Sequence, residues 1–262
     1  MTYQIVLGAG GFAGWNILKR TAEQQKQLLA QDPMVARSIQ YVRENIAKVN
    51  SAEDLVSDYR MLNVALGAFG LENDVGSKAF IRKILESDRD ETSSLVNRLS
   101  DKRYLRLANA LALDEGNGAV SKAGFGDRLA QLYLEREFER RVGEGNQNLR
   151  LALNAQRELQ QFANRTSSEA TLWYEVMGTP PLRKVFETAF GFGSSYGKLP
   201  IDRQLDEFTK KAEAVFGSSS FDVIATETGI DKLIQTFLLR SQMPTGTSQS
   251  SYSIALTLLR RQ

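Results

Sequence analysis

The stretch DYRMLNVALGAFGL, residues 58–71, decides the fold class. Its apolar residues recur every three or four positions, the spacing that lines one face of an α-helix. A later stretch, PLRKVFETAFGF at residues 181–192, closes in the same way. Val64, Ala68, Phe69, Gly70 and Leu71 of the first correspond to Val185, Ala189, Phe190, Gly191 and Phe192 of the second. The pair reads as one core helix used twice, the first copy ending at Gly70 in a left-handed cap. Helical spacing persists on both sides of each copy, so the expected fold is all-α. It would be a compact multi-helix bundle of short helices, with two pseudo-repeated halves joined by a long helical hairpin and a detachable C-terminal peptide. The expected boundaries are 1–113 for the N-terminal half, 114–240 for the C-terminal half, and 241–262 for a linker and apolar peptide. The two halves are free to pack as one domain.

At 262 residues the chain is long enough for one large core or two modest ones. Hydrophobic residues make up 42% and charged residues 24%, which is ordinary globular material. Lys and Arg total 33 against 31 Asp and Glu, and the signs are interspersed. No basic stripe offers a phosphate backbone a footprint, so nucleic acid is not an expected partner. Cysteine is absent, which removes disulfides, thiolate nucleophiles and cysteine-ligated metals together. Histidine is absent too, and with it go the commonest general base and transition-metal ligand. No segment approaches the roughly 18 apolar residues of a membrane helix. The first residues lack a basic region leading into an apolar run, so neither a membrane span nor a cleavable signal is expected. Export by a route that leaves no cleaved signal stays open.

The opening MTYQIVLGAGGFAG imitates a dinucleotide-binding turn, since a short apolar run leads into Gly8, Gly10, Gly11 and Gly14. That chemistry needs glycines so that backbone can approach a pyrophosphate at a helix N-terminus, inside a strand–helix–strand unit. After Trp15 the chain shows helical spacing, then Pro33 and a further helical run with Val35, Ile39, Val42 and Ile46. Without a second strand to carry an acidic ribose ligand, the glycines read as a flexible lead into a helix capped near Ala13.

Asp32-Pro33 is a helix start, with Asp as N-cap and Pro in the first turn. Ser51 with Asp54 is another, launching Leu55, Tyr59, Leu62, Leu66 and Phe69 along one face. Three shorter pieces are expected at 74–86, 94–99 and 101–113. The sequence DEGNG at 114–118 resembles part of a calcium loop, but the twelfth position from Asp114 is Phe125 rather than Glu, so a turn is expected there. A helix over 125–141 would place Leu129, Leu132, Tyr133 and Phe138 inward. Its run EREFERR at 135–141 reads as a solvated face stitched by pairs three or four apart. A second helix over 147–164 would complete an antiparallel hairpin. Further helices are expected at 169–178, after Pro200, and at 220–227 and 229–240.

Ser195 and Lys198 form a Ser-x-x-Lys pair, but Gly197 sits inside it and its companion motifs are missing, so no catalysis is expected there. Trp173 and Tyr174 could border a small-molecule pocket between the halves, although aromatics at helical spacing are usually core. Residues 241–253 are a linker by composition. The peptide beyond is too short to span a membrane and too apolar for water. It would dock on its own core, or find a groove on a partner or a second copy.

Several stretches together carry a resemblance. They are GFAGW at 11–15, ALGAFGL at 65–71, FIRKILES at 80–87, LSDKRY at 99–104, MGTPPLRKVFET at 177–188 and ALTLLR at 255–260. The chain resembles an alphaproteobacterial family of uncharacterised proteins, a domain of unknown function encoded near flagellar genes, and the resemblance covers nearly its whole length. It implies a flagellum-associated or cytoplasmic context, and it carries no catalytic, cofactor or metal residues across.

The leading expectation is therefore a non-enzymatic structural or assembly protein working through protein–protein contacts. Its partners would be flagellar components or a second copy of itself. Ile254, Leu256, Leu258, Leu259 and Arg260 are the expected protein-binding residues, and no cofactor is expected. The alternative, from a different class, is a nucleotide-dependent enzyme using Gly8, Gly11 and Gly14.

Overall fold

The two copies of the organising helix end in the same hydrogen-bonded closure. In the computed structural model, which describes residues 3–113, 119–163, 165–193 and 196–243, Gly70 and Gly191 both take left-handed backbone angles, with φ of 72° and 75°. The Leu71 N–H bonds to the Leu66 carbonyl at 2.9 Å and the Phe192 N–H to the Glu187 carbonyl at 2.9 Å. Inside those, Gly70 bonds to Gly67 and Gly191 to Thr188. This is the six-to-one, five-to-two pattern that satisfies the last carbonyls of a helix, and glycine is favoured because a Cβ resists positive φ.

Among the described residues there are fourteen α-helices and no strand. They are α1 (Gly11–Ala30), α2 (Pro33–Asn45), α3 (Ala52–Ser57), α4 (Tyr59–Ala68), α5 (Lys78–Leu85), α6 (Leu95–Arg98), α7 (Lys102–Leu111), α8 (Phe125–Gly145), α9 (Gln147–Gln160), α10 (Glu169–Met177), α11 (Pro180–Phe190), α12 (Ile201–Phe216), α13 (Phe221–Ile224) and α14 (Glu227–Ser241). Their starts are written in side chains. Asp32, Ser51, Asp58, Asp101, Asn146, Ser168, Ser220 and Thr226 each accept a hydrogen bond from a first-turn N–H.

The centre of the bundle is α8, against which α4, α9, α2 and α1 all pack. Beside it, α11 packs on α14 and α9, with α10 and α12 against α11. One apolar cluster runs from Trp15 to Leu238 and takes in both organising helices. A satellite of Ile84, Val96 and Ala108 closes α5, α6 and α7, with Phe80 edge-on to Tyr104 at 5.3 Å. Rings of α10 to α13 fill the far end. Trp173 lies 4.8 Å from Phe221 and 5.4 Å from Phe186 between ring centres.

Four local expectations are corrected. The helix expected to run unbroken from residue 52 to 69 stops at Ser57 and restarts at Tyr59. Asp58 is extended, its Oδ1 accepts from the Met61 N–H at 3.0 Å, and its Oδ2 accepts from the Tyr41 hydroxyl at 2.6 Å. That long-range bond fixes the kink, and Tyr59 turns out to solvent at 63% exposure. The helix expected from residue 74 begins at Lys78, after a 3-10 turn at Glu72–Asp74. The first helix starts at Gly11 rather than Ala13. The charged run at 135–141 is not a solvated face, since Glu137, Glu139 and Arg141 are buried.

Candidate interaction surface and buried ionic centre

The burial of that run results from the position of α8. Where α8 is packed on several sides its mid-helix charges lose water, and the buried ones must find partners of opposite sign inside. On the side towards α9, Glu158 is 1% exposed and receives three guanidiniums. Arg136 reaches it at 3.0 Å and Arg157 at 2.8 Å, and Arg106 pairs with its other oxygen. Glu139 takes Arg157 at 2.6 Å and Arg136 at 3.3 Å. With its carboxamide oxygen turned towards them, Asn154 accepts from Arg136 and Arg157 at 2.7 and 2.8 Å. Arg106 also donates to the Thr179 hydroxyl at 2.9 Å, which ties α7 to the start of α11. Burial alone would raise the Glu158 carboxyl. The fields of Arg157, Arg106 and Arg136, with the hydrogen bond from Arg157, overcome it and hold the group at about 2.

On the opposite side of α8, Arg141 bonds Glu137 at 2.8 Å and Asp32 at 3.1 Å. Here the segment read as a flexible lead is an extended strap. Tyr3, Ile5 and Leu7 pack against the core while Gln4 and Val6 face out, the period of two of extended chain. Its main chain is held by side chains. The Tyr3 N–H donates to Asp32 at 2.8 Å, and Arg141 donates to the Tyr3 carbonyl at 2.8 Å. Gln25 grips Val6 from both sides, accepting from its N–H at 2.8 Å and donating to its carbonyl at 3.0 Å. Burial pushes the Asp32 carboxyl up, but the hydrogen bonds from Tyr3, Arg141 and Met34 hold it at about 2.

The strap reverses into α1 through the glycines. Gly8 has a φ of 69° and Gly11 of 61°. A Cβ on Gly14 would stand 1.8 Å from the Ala9 carbonyl oxygen, so the turn closes only over glycine. The same pole gathers other parts of the chain. Gln242, after α14, lies against Gly11, Asn146 of the α8–α9 turn against Gly10, and Leu7 against Gly145.

The nucleotide-binding geometry considered for Gly8, Gly11 and Gly14 needs flanking strands, and none occurs among the described residues. Trp173 and Tyr174 are split between core and surface. The Trp173 ring is packed among Phe186, Phe208 and Phe221 and donates to the Ser219 carbonyl at 3.0 Å, while Tyr174 is exposed. Ile254, Leu256, Leu258, Leu259 and Arg260 lie outside the described residues, as do 114–118 and Ser195. A groove of about 640 Å³ runs between α2 and α8, bordered by Ala36, Ile39, Arg43, Ala130 and Leu134. Among the described residues no group of three or more acidic side chains converges as a metal would require. No described helix is long and apolar enough to cross a membrane.

Sequence reasoning missed Gln25, Arg141 and the Glu158 cluster. One signal was present, because in α8 apolar and charged residues share every face, whereas a surface helix separates them.

An all-α chain closed around a charged central helix is the class that fold and site define. Residues 68–228, more than half of the chain, match the family model described as "Protein of unknown function (DUF1217)", and the chain belongs to that family. The match takes in the whole Glu158 cluster and leaves the strap, Gln25 and Asp32 outside it. A crystal structure of a protein from Agrobacterium tumefaciens is similar, with 25% sequence identity and a TM-score of 0.72 over 90% of this chain and 94% of that one. No curated protein sequence matches.

Proposed function

We propose that this protein is a non-enzymatic structural or assembly component, flagellum-associated, that works through protein–protein contacts. The observation that carries the reading is the closure of its polar interior. Among the described residues every buried side-chain nitrogen and oxygen has a partner within the chain. The charges of α8 are thus engaged in holding helices together, and the cost of burying them returns as a fixed geometry for the surfaces. The surface proposed to act is the pole where the glycine turn, the α8–α9 turn and the end of α14 meet, together with the C-terminal apolar peptide. Ile254, Leu256, Leu258, Leu259 and Arg260 would be its contact residues. The flagellar context comes from the family resemblance of the sequence.

Deleting the gene and complementing it with either the full chain or a chain ending at residue 243 tests this. Swimming and electron microscopy of flagella are the readouts. The full chain should restore flagella, and the shortened chain, still folded, should not. Normal flagella in the deletion strain would remove the flagellar role, and full rescue by the shortened chain would remove the peptide.

A further inference from the structure

We infer that the N-terminal strap is an exchangeable element, and that the groove formed by Gln25, Asp32 and Arg141 takes residues 3–7 of a second copy of this chain as it takes its own. This rests on the assembly reading for its purpose and names the partner of one of its surfaces.

Four observations lead there. The groove reads main chain as well as side chain, since Gln25 holds both polar groups of Val6, and Asp32 and Arg141 hold those of Tyr3. Bonds of that kind fit the same segment from any copy equally well. Gln25, Asp32 and Arg141 are buried beneath the strap, so its release trades their bonds to it for water, and the same segment of another copy would remake the full set. The connection is built to open. The strap runs antiparallel to α1, from Tyr3 beside Asp32 to Leu7 beside Gly145, and reverses through Gly8, Ala9 and Gly10, all exposed. Extending those three residues would carry the strap away from its own groove without disturbing a helix. Finally, Tyr3, Ile5 and Leu7 rest on the core rather than within it, each only half-buried. Reciprocal exchange of an identical segment is a low-cost route to a two-fold dimer, because each interaction given up within one copy is remade between the two.

The chain has no cysteine, so introduced thiols report without background. Val6→Cys places one on the outer face of the strap, and Leu28→Cys one on α1, a turn from Gln25; both side chains are exposed. The two single variants are mixed at high concentration, equilibrated below the melting temperature, and treated with a short bis-maleimide. A covalent dimer should form in the mixture and in neither preparation alone. The chain carrying both substitutions should link internally when dilute. An internal link in that chain with no dimer in the mixture would show that each strap keeps to its own groove, and the exchange would be overturned. No link in either would mean that the strap does not lie along α1 at all, which overturns it equally. A variant that never links between copies yet restores flagella would end the exchange and leave the assembly reading standing.

Discussion

Replacing Glu158 by Gln keeps the shape of the side chain and removes the one charge on which Arg106, Arg136 and Arg157 converge. Glu139 then remains between Arg136 and Arg157, whose side chains are 12% and 16% exposed. Breaking a buried pair from one side costs about 3–5 kcal/mol. Arg106 is partly exposed and can turn to water, so the lower end applies. The acid titration gives a similar figure. Glu158 moves from its ordinary 4.5 to about 2 in the folded protein, and a shift of that size is worth about 3 kcal/mol. Because the folded value is the lower one, this stabilisation is present above about pH 4.5 and is lost as pH falls towards 2. Urea unfolding followed by circular dichroism at pH 7 should show the loss directly, and the melting temperature should fall by about 6–12 °C at roughly 2–4 °C per kcal/mol. Between pH 4.5 and 2 the parent should lose stability more steeply than the variant. A loss below about 1 kcal/mol, well under the range for a broken buried pair, or an acid limb unchanged by the substitution, would refute the claim that this cluster holds the bundle together.

Three further outcomes are expected. Gly70→Ala meets no atom closer than 3.6 Å, so its cost is that of the backbone at a φ of 72°, about 1–2 kcal/mol. Gly70→Asn should cost less, and equal urea midpoints for the parent and the Ala variant would contradict the left-handed closure. Asp58→Ala removes both the cap of α4 and the acceptor of the Tyr41 hydroxyl, and should lower stability by about 1–2 kcal/mol. A neutral result would mean the break between α3 and α4 is fixed by something else. Titration with NAD(H) or NADP(H) should leave the melting temperature unchanged, whereas a ligand at a hundred times its dissociation constant would add about 2.7 kcal/mol. A shift of several degrees would restore the glycine segment as a nucleotide site.

Much of the fold was legible because it is written locally. Three-and-four spacing, Asp32 and Ser51 as caps, and Gly70 as a closing residue act within a few positions of themselves, and each took its expected place. The hairpin of α8 and α9 could be read from two helical runs separated by the glycine-rich break before Asn146. The interaction surface was less legible. The glycine segment was seen, but its extended conformation depends on Gln25, Asp32 and Arg141, which stand 19 to 138 positions away from the residues they hold.

The sequence by itself determined that the chain is helical, where most helices begin and end, and that α4 and α11 close in the same way. These depend on backbone propensity and on side chains that reach only their own turn. Tertiary structure alone decided the fate of the charges. The run from Glu135 to Arg141 looks the same in sequence whether water or protein surrounds it, and only the packing of α1, α2, α4 and α9 around α8 takes the water away. Once water is gone, each charge must be met by another brought from elsewhere in the chain, and the Glu158 cluster and the strap against Asp32 and Arg141 are the result.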